Sequence, residues 1–275
     1  MRLEDLGRFE EAIERAREAH AIYARLAAAR PDRYDADLAT SLNNLGGHLS
    51  ALGRFEEALE RAREAHAIRT RLAAARPDRY EADLATSLNN LGSHLSALGR
   101  FEEALERTRE AHAIYARLAE LRPLRHADDM LTSELSLQFL AWQAGSAEVE
   151  LLNTWLDRAR QTELSLHRRD LLVAEHAMVE GCLSHRARVG HAIERMEAVA
   201  ASFSATPPHQ RRSLEPYHLI AAAYLSQHAP NRDAQTAYGQ AWRNFLDAHG
   251  NRVPGSITES LRRLDCGLPT GSGPS

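Results

Sequence analysis

Residues 78–123 read DRYEADLATSLNNLGSHLSALGRFEEALERTREAHAIYARLAELRP, and nearly the same text stands upstream. Arg8–Leu52 recurs at Arg54–Leu98 with five differences: Ile13/Leu59, Tyr23/Arg69, Ala24/Thr70, Asp35/Glu81 and Gly47/Ser93. A third copy starts at Arg100 and stays intact to about Leu118. The period is 46 residues. That is too long for a coiled coil and suits stacked helical hairpins.

Within the quoted unit, Leu84, Leu88, Leu91, Leu95 and Leu98 recur at helical spacing and form one apolar stripe. Gly99 breaks this helix. A second helix starts beside Phe101, runs through Ala104, Leu105, Ala111, Ile114 and Leu118, and is closed by Pro123. Glu103–Arg107 and Glu106–Arg109 are placed to pair along its solvated face. Each helix of roughly 20 residues is about 30 Å long. One hairpin alone cannot bury its stripe, whereas stacked copies share a continuous core. The expected fold is an all-α solenoid.

Composition narrows the function. The 275-residue chain has a formal net charge of −4, which argues against a nucleic-acid backbone as partner. All 34 basic residues are arginine, so surface cations are planar forks rather than point charges. Cys182 and Cys266 make no disulfide framework, which suggests a reducing compartment. No apolar run is long enough for a membrane span, and the N-terminus lacks a signal-peptide core. The chain reads as cytoplasmic.

The string Leu88-Asn89-Asn90-Leu91-Gly92, followed by Leu95, Leu98, Gly99, Phe101 and Ala104, resembles the tetratricopeptide repeat signature. Gly46, Gly53, Phe55 and Ala58 match it one copy earlier. The length and the Leu-Asn-Asn-Leu core are most similar to the long repeats of kinesin light chains. The resemblance implies a right-handed superhelical solenoid of antiparallel hairpins. In it, Gly92 sits where the two helices cross, Ala104 is the small contact opposite, and Gly99 is the turn. The pattern departs at Ala62 and Thr108, where a bulky residue is usual, and at the late Pro77 and Pro123.

Residues 1–126 form the near-identical array. Residues 127–168 read as a degenerate fourth hairpin: Thr132-Ser133, Leu137 and Gly145 fall 46 residues after Thr86-Ser87, Leu91 and Gly99. Trp142 and Trp155 replace small contacts there. Residues 169–265 hold two divergent helix pairs, 170–188 with 191–204 and 213–228 with 231–248, and a short helix near 256–264 that caps the stack. Gly190 and Pro230-Asn231 mark turns, and Thr206-Pro207-Pro208-His209 is the expected bend. The Gly/Pro/Ser tail 266–275 is expected to be disordered. Met1–Leu6 aligns with 47–52, so the chain opens inside the first helix of a repeat. The second helix, 8–29, therefore exposes an apolar face, which points to further chain upstream or to self-association.

No phosphate loop, His-Glu-x-x-His, paired Cys-x-x-Cys or nucleophile elbow is present, so neither catalysis nor a cofactor is expected. His185 and His191 flank a turn and are expected to be exposed. By resemblance, the first helix of each hairpin lines a concave groove. Asn44 and Asn90, and with them Asn43 and Asn89, are placed to hydrogen-bond an extended peptide, since an amide both donates and accepts. Thr40, Thr86, Ser93 and Ser96 extend that strip. Leu135 and Ser136 end it in the fourth hairpin. The expected function is a non-catalytic scaffold for a protein or peptide segment. The alternatives are a ligand-sensing fragment of a larger bacterial signalling protein and a self-assembling structural module.

His20, His66 and His112 recur at the same period, as do His48 and His94. With a turn centred near Arg79, His66 is expected opposite His94, and His20 opposite His48. Such a pair is either a neutral space-filling contact or a pH-sensitive seam.

Overall fold

The computed structural model describes residues 3–145, 155, 166–185, 189–206, 215–229, 231–248, 253 and 255–266. Most of the second half of the fourth hairpin, the Pro207-Pro208-His209 bend, Pro230 and the tail beyond Cys266 lie outside them. The described residues contain helices and no strand. The chain divides into two compact units, Met1–His126 and Ala127–Ser275.

The first unit is the repeat array: α1 (Leu3–Ala29), α2 (Pro31–Ala51), α3 (Phe55–Ala75), α4 (Pro77–Ala97) and α5 (Phe101–Leu121). Each packs on the next in chain order. Within a hairpin, α2 turns to α3 through Gly53 (φ +71°) and α4 to α5 through Gly99 (φ +76°). Both glycines donate their N–H three residues back, to Ser50 and Ser96, and their left-handed conformation is the one a side chain disfavours. Gly7 is the counterpart of Gly53, yet α1 runs through it as one helix.

Between hairpins the link is shorter than the sequence suggests. Pro31 and Pro77 open α2 and α4, so single residues, Arg30 and Arg76, join the helices. Proline at the first helical position gives up an N–H that has no intrahelical partner anyway. The turn is thus centred on Arg76 rather than Arg79. That shift overturns the His66–His94 pairing: His66 Nδ1 lies 3.1 Å from Ser87 Oγ, eleven residues past the true centre. The ion pairs also differ from expectation. Glu103 pairs with Arg100 at 2.5 Å, and Arg107 pairs with Glu110 at 2.8 Å.

Apolar stripes explain the stacking. Ile13 of α1 joins Leu45 and Leu49 of α2 and Ala58 of α3 in one cluster. Helix crossings depend on small residues. A Cβ built on Gly46 would lie 3.3 Å from the Ala58 carbonyl oxygen, and one on Gly92 would lie 3.3 Å from that of Ala104.

The second unit contains most of α6 (Pro123–Ala144), then α7 (Leu166–Ser184), α8 (Val189–Ala205), α9 (Glu215–His228), α10 (Arg232–Ala248) and α11 (Gly255–Arg263). α6 keeps the repeat's local hydrogen bonds. Thr132 Oγ1 donates to the Asp128 carbonyl, as Thr40 and Thr86 do to Ala36 and Ala82. Gly145, at φ +83°, donates to Trp142 as Gly99 does to Ser96. α9 is the centre of the main core, with every residue from Leu219 to Leu225 buried. α11 covers it through Ile257 and Leu261, and Gln143 Nε2 donates to the Ser256 carbonyl at 2.7 Å.

His185 is buried, contrary to its expected exposure. Its Nδ1 lies 3.1 Å from Tyr224 Oη and its Nε2 3.4 Å from Asp265 Oδ2. These neighbours come from α9 and from just beyond α11, and local sequence does not reveal them. His191 is half-buried, with Nε2 2.9 Å from Glu180 Oε1.

Candidate protein-binding groove

The nominated polar strip lies on α2 and α4. Thr40, Asn44, Thr86 and Ser93 are exposed, and Asn90 is half-buried. Each threonine hydroxyl folds back on its own helix, at 2.9 Å to Ala36 O and 3.0 Å to Ala82 O. Asn43 and Asn89 are half-buried, and the amide oxygen of each is enclosed without a hydrogen-bond partner. Ser96 differs from the others because it is buried, and it presents nothing to a ligand.

Two of the nominated residues help form a cavity. Asp37, Thr40, Ser41, Asn44 and His48 share one face of α2, as steps of three and four residues require. Ala12, Arg15, Ala16, Ala19 and Tyr23 of α1 face them across a cleft of about 420 Å³.

Sequence reading missed Arg69. It is buried, yet its NH2 donates to Thr40 Oγ1 at 3.1 Å and its NH1 lies 3.0 Å from Asp83 Oδ2. One guanidinium on α3 thereby ties α2 to α4. Tyr23 and Tyr115 hold this position in the other copies, and Tyr115 Oη sits 2.8 Å from Thr86 Oγ1. The available signal was that Arg69 is one of the five positions at which the copies differ.

Residues 37–117, from α2 to α5, match the family model for the tetratricopeptide repeat. This segment is a tetratricopeptide repeat array. No curated protein matches the chain. The family assignment makes the array a protein-interaction scaffold in general terms, of a type that is typically non-catalytic. No helix among the described residues is long and apolar enough to cross a membrane. No group of three or more metal-binding side chains occurs among them.

The histidines of the array sit in different surroundings. Burial pushes the His94 imidazole down to about 4. His66 is also lowered, first by burial and then by Arg107, against the opposing effect of Glu110. In the second unit, burial raises the Cys266 thiol to about 12 and the Cys182 thiol further. Tyr224 rises to about 12 for the same reason. These groups are held protonated and shielded, in keeping with a role in packing.

Proposed function

We propose that the tetratricopeptide array holds an extended peptide or protein segment along α2 and α4. Thr40, Asn44, Thr86, Asn90 and Ser93 would meet its backbone. The observation that supports this is the strip itself. Thr40 with Thr86 and Asn44 with Asn90 stay at least partly accessible at a 46-residue interval, on helices where Leu42, Leu45, Leu49, Leu88, Leu91 and Leu95 are buried. An amide there can donate to a peptide carbonyl and accept from a peptide N–H. Asn43 and Asn89, half-buried beside it, would contribute less. Buried free thiols at Cys182 and Cys266 suit a reducing, cytoplasmic setting.

The test is selection from a displayed random-peptide library against the full chain. Peptides so obtained should lose about five- to thirty-fold in affinity for the Asn44→Ala/Asn90→Ala double variant, the equivalent of one or two net hydrogen bonds. Unchanged affinity there, with loss on replacing the exposed Arg63 and Arg109, would move the site off the strip.

A further inference from the structure

We propose that the α1–α2 cleft is a seat for a helix of a separate polypeptide. That helix carries an acidic residue, a threonine five residues later and a glycine six residues after that. The argument comes from the next interface of the same array, where the equivalent seat is filled. There, the atoms around Gly46 of α2 are the Ala58 carbonyl, Arg61 Cβ and His94 Nε2. Moved back by one repeat, those residues are Ala12, Arg15 and His48. All three line the open cleft. The cleft is therefore the place that α2 occupies one step further on.

Burial agrees with this. Ala58, Ala62 and Ala65 are 0–1% exposed beneath α2, while Ala12, Ala16 and Ala19 are only half-buried. α1 runs straight through Gly7, so Leu3–Leu6 extend the helix instead of folding back into the cleft.

The filled seats also define the occupant's chemistry. In both, a small residue at the crossing is a glycine, Gly46 or Gly92, against an alanine carbonyl. In both, a threonine six residues earlier meets the long side chain at the Tyr23 position: Thr40 with Arg69, Thr86 with Tyr115. In both, a carboxylate eleven residues before the glycine pairs with an arginine: Asp35 with Arg71 at 2.6 Å, and Glu81 with Arg117. The open seat offers the same three elements, Ala12–Ala16, Tyr23 and Arg25, and Arg25 is exposed. This interface continues the established stacking, and its charge calls for an acidic residue on the incoming helix. It shares Thr40 and Asn44 with the peptide strip, while Thr86, Asn90 and Ser93 lie outside the cleft.

The probe is a labelled peptide of residues 31–53, PDRYDADLATSLNNLGGHLSALG, titrated into the full chain. Expected are saturable one-to-one binding, a rise in peptide helicity by circular dichroism, and at least tenfold weaker binding of the peptide bearing Gly46→Leu. Ala16→Trp in the protein should block binding by filling the cleft. Arg25→Glu, an exposed change that leaves folding intact, should weaken binding. The peptide bearing Asp35→Arg should recover it. Absence of saturable binding, indifference to Gly46→Leu, or binding without helicity overturns the seat. So does a concentration-dependent dimer in sedimentation that Ala16→Trp abolishes, because the occupant is then a second copy. Peptides bound through Asn90 would keep their affinity for Ala16→Trp, so the two readings fail separately.

Discussion

α2 and α4 are both 21 residues long and differ at two positions, Asp35/Glu81 and Gly47/Ser93, yet they occupy different surroundings. Tyr34 is half-buried and Tyr80 is 6% exposed; His48 is half-buried and His94 is 7% exposed; Asn44 is exposed and Asn90 half-buried. The cause is neighbours. α4 has α2 and α3 on its upstream side, while α2 has only α1. In a one-dimensional stack, identical text acquires burial from the adjacent repeat. Each prediction below tests whether an edge residue and its internal twin really differ for that reason.

The largest effect is expected from pH at His94. Its folded value of about 4 lies below the ordinary 6.5, so below pH 6.5 the unfolded chain binds more protons than the folded one. Stability is complete above about pH 7 and falls as pH drops through 6.5 toward 4. The loss by pH 4.5 is about 2–3 kcal/mol. Melting curves of wild type and His94→Leu across pH 7.5 to 4.5 should converge or cross as the variant escapes this loss. Parallel curves would mean that His94 is not sealed by α2.

Next comes the helix crossing. A Cβ at Gly92 would overlap Thr108 Oγ1, whereas one at Gly46 meets the Ala58 carbonyl at 3.3 Å and no such hydroxyl. Gly92→Ala should destabilise by about 1–3 kcal/mol through overpacking, and Gly46→Ala by less. Thr108→Ala should rescue Gly92→Ala in a denaturation double-mutant cycle, with a coupling of at least about 0.5 kcal/mol. Zero coupling would place the strain in the Ala104 backbone instead.

A smaller difference is expected in amide exchange. The middle of α1 should exchange faster than the middle of α3, although their sequences correspond, because α1 is packed on one side. Equal protection in a monomer would remove the edge from the comparison. Added 31–53 peptide should slow exchange in α1 selectively if the seat is real.

Local chemistry was legible in the sequence. Gly53, Gly99 and Gly145 supply left-handed turns at a 46-residue interval, and the recurrence of Thr86 at Thr132 carries the same helix-internal hydrogen bond, although the bond itself was not foreseen. Side chains depending on another helix were not legible. Moving the turn centre from Arg79 to Arg76 displaced the partner of His66 by two helical turns. Nothing local marks Arg69 for burial; its partners Thr40 and Asp83 come from α2 and α4. His185 sits at a helix end, which local rules expose, but Tyr224 and Asp265 come to it from 39 and 80 residues away. The polar strip followed from the family resemblance rather than from spacing, and Thr40, Asn44, Thr86 and Ser93 of it are exposed. The inward turn of Ser96 depends on packing and was not legible.

The smallest effect distinguishes intrinsic preference from context most directly. Gly47 is exposed inside α2, and a Cβ there would meet nothing within 4 Å. Gly47→Ala should therefore gain the full helix propensity, about 1 kcal/mol. Its twin Ser93 is also exposed, and Ser93→Ala should gain about 0.5 kcal/mol. Both gains come from backbone and side-chain entropy, so they should be alike at the edge and inside the array once residue type is allowed for. Chemical denaturation with an unchanged m-value is the measurement. If Gly47→Ala destabilises, a neighbour must cover that face of α2, and the open surroundings assigned to the first copy would be wrong.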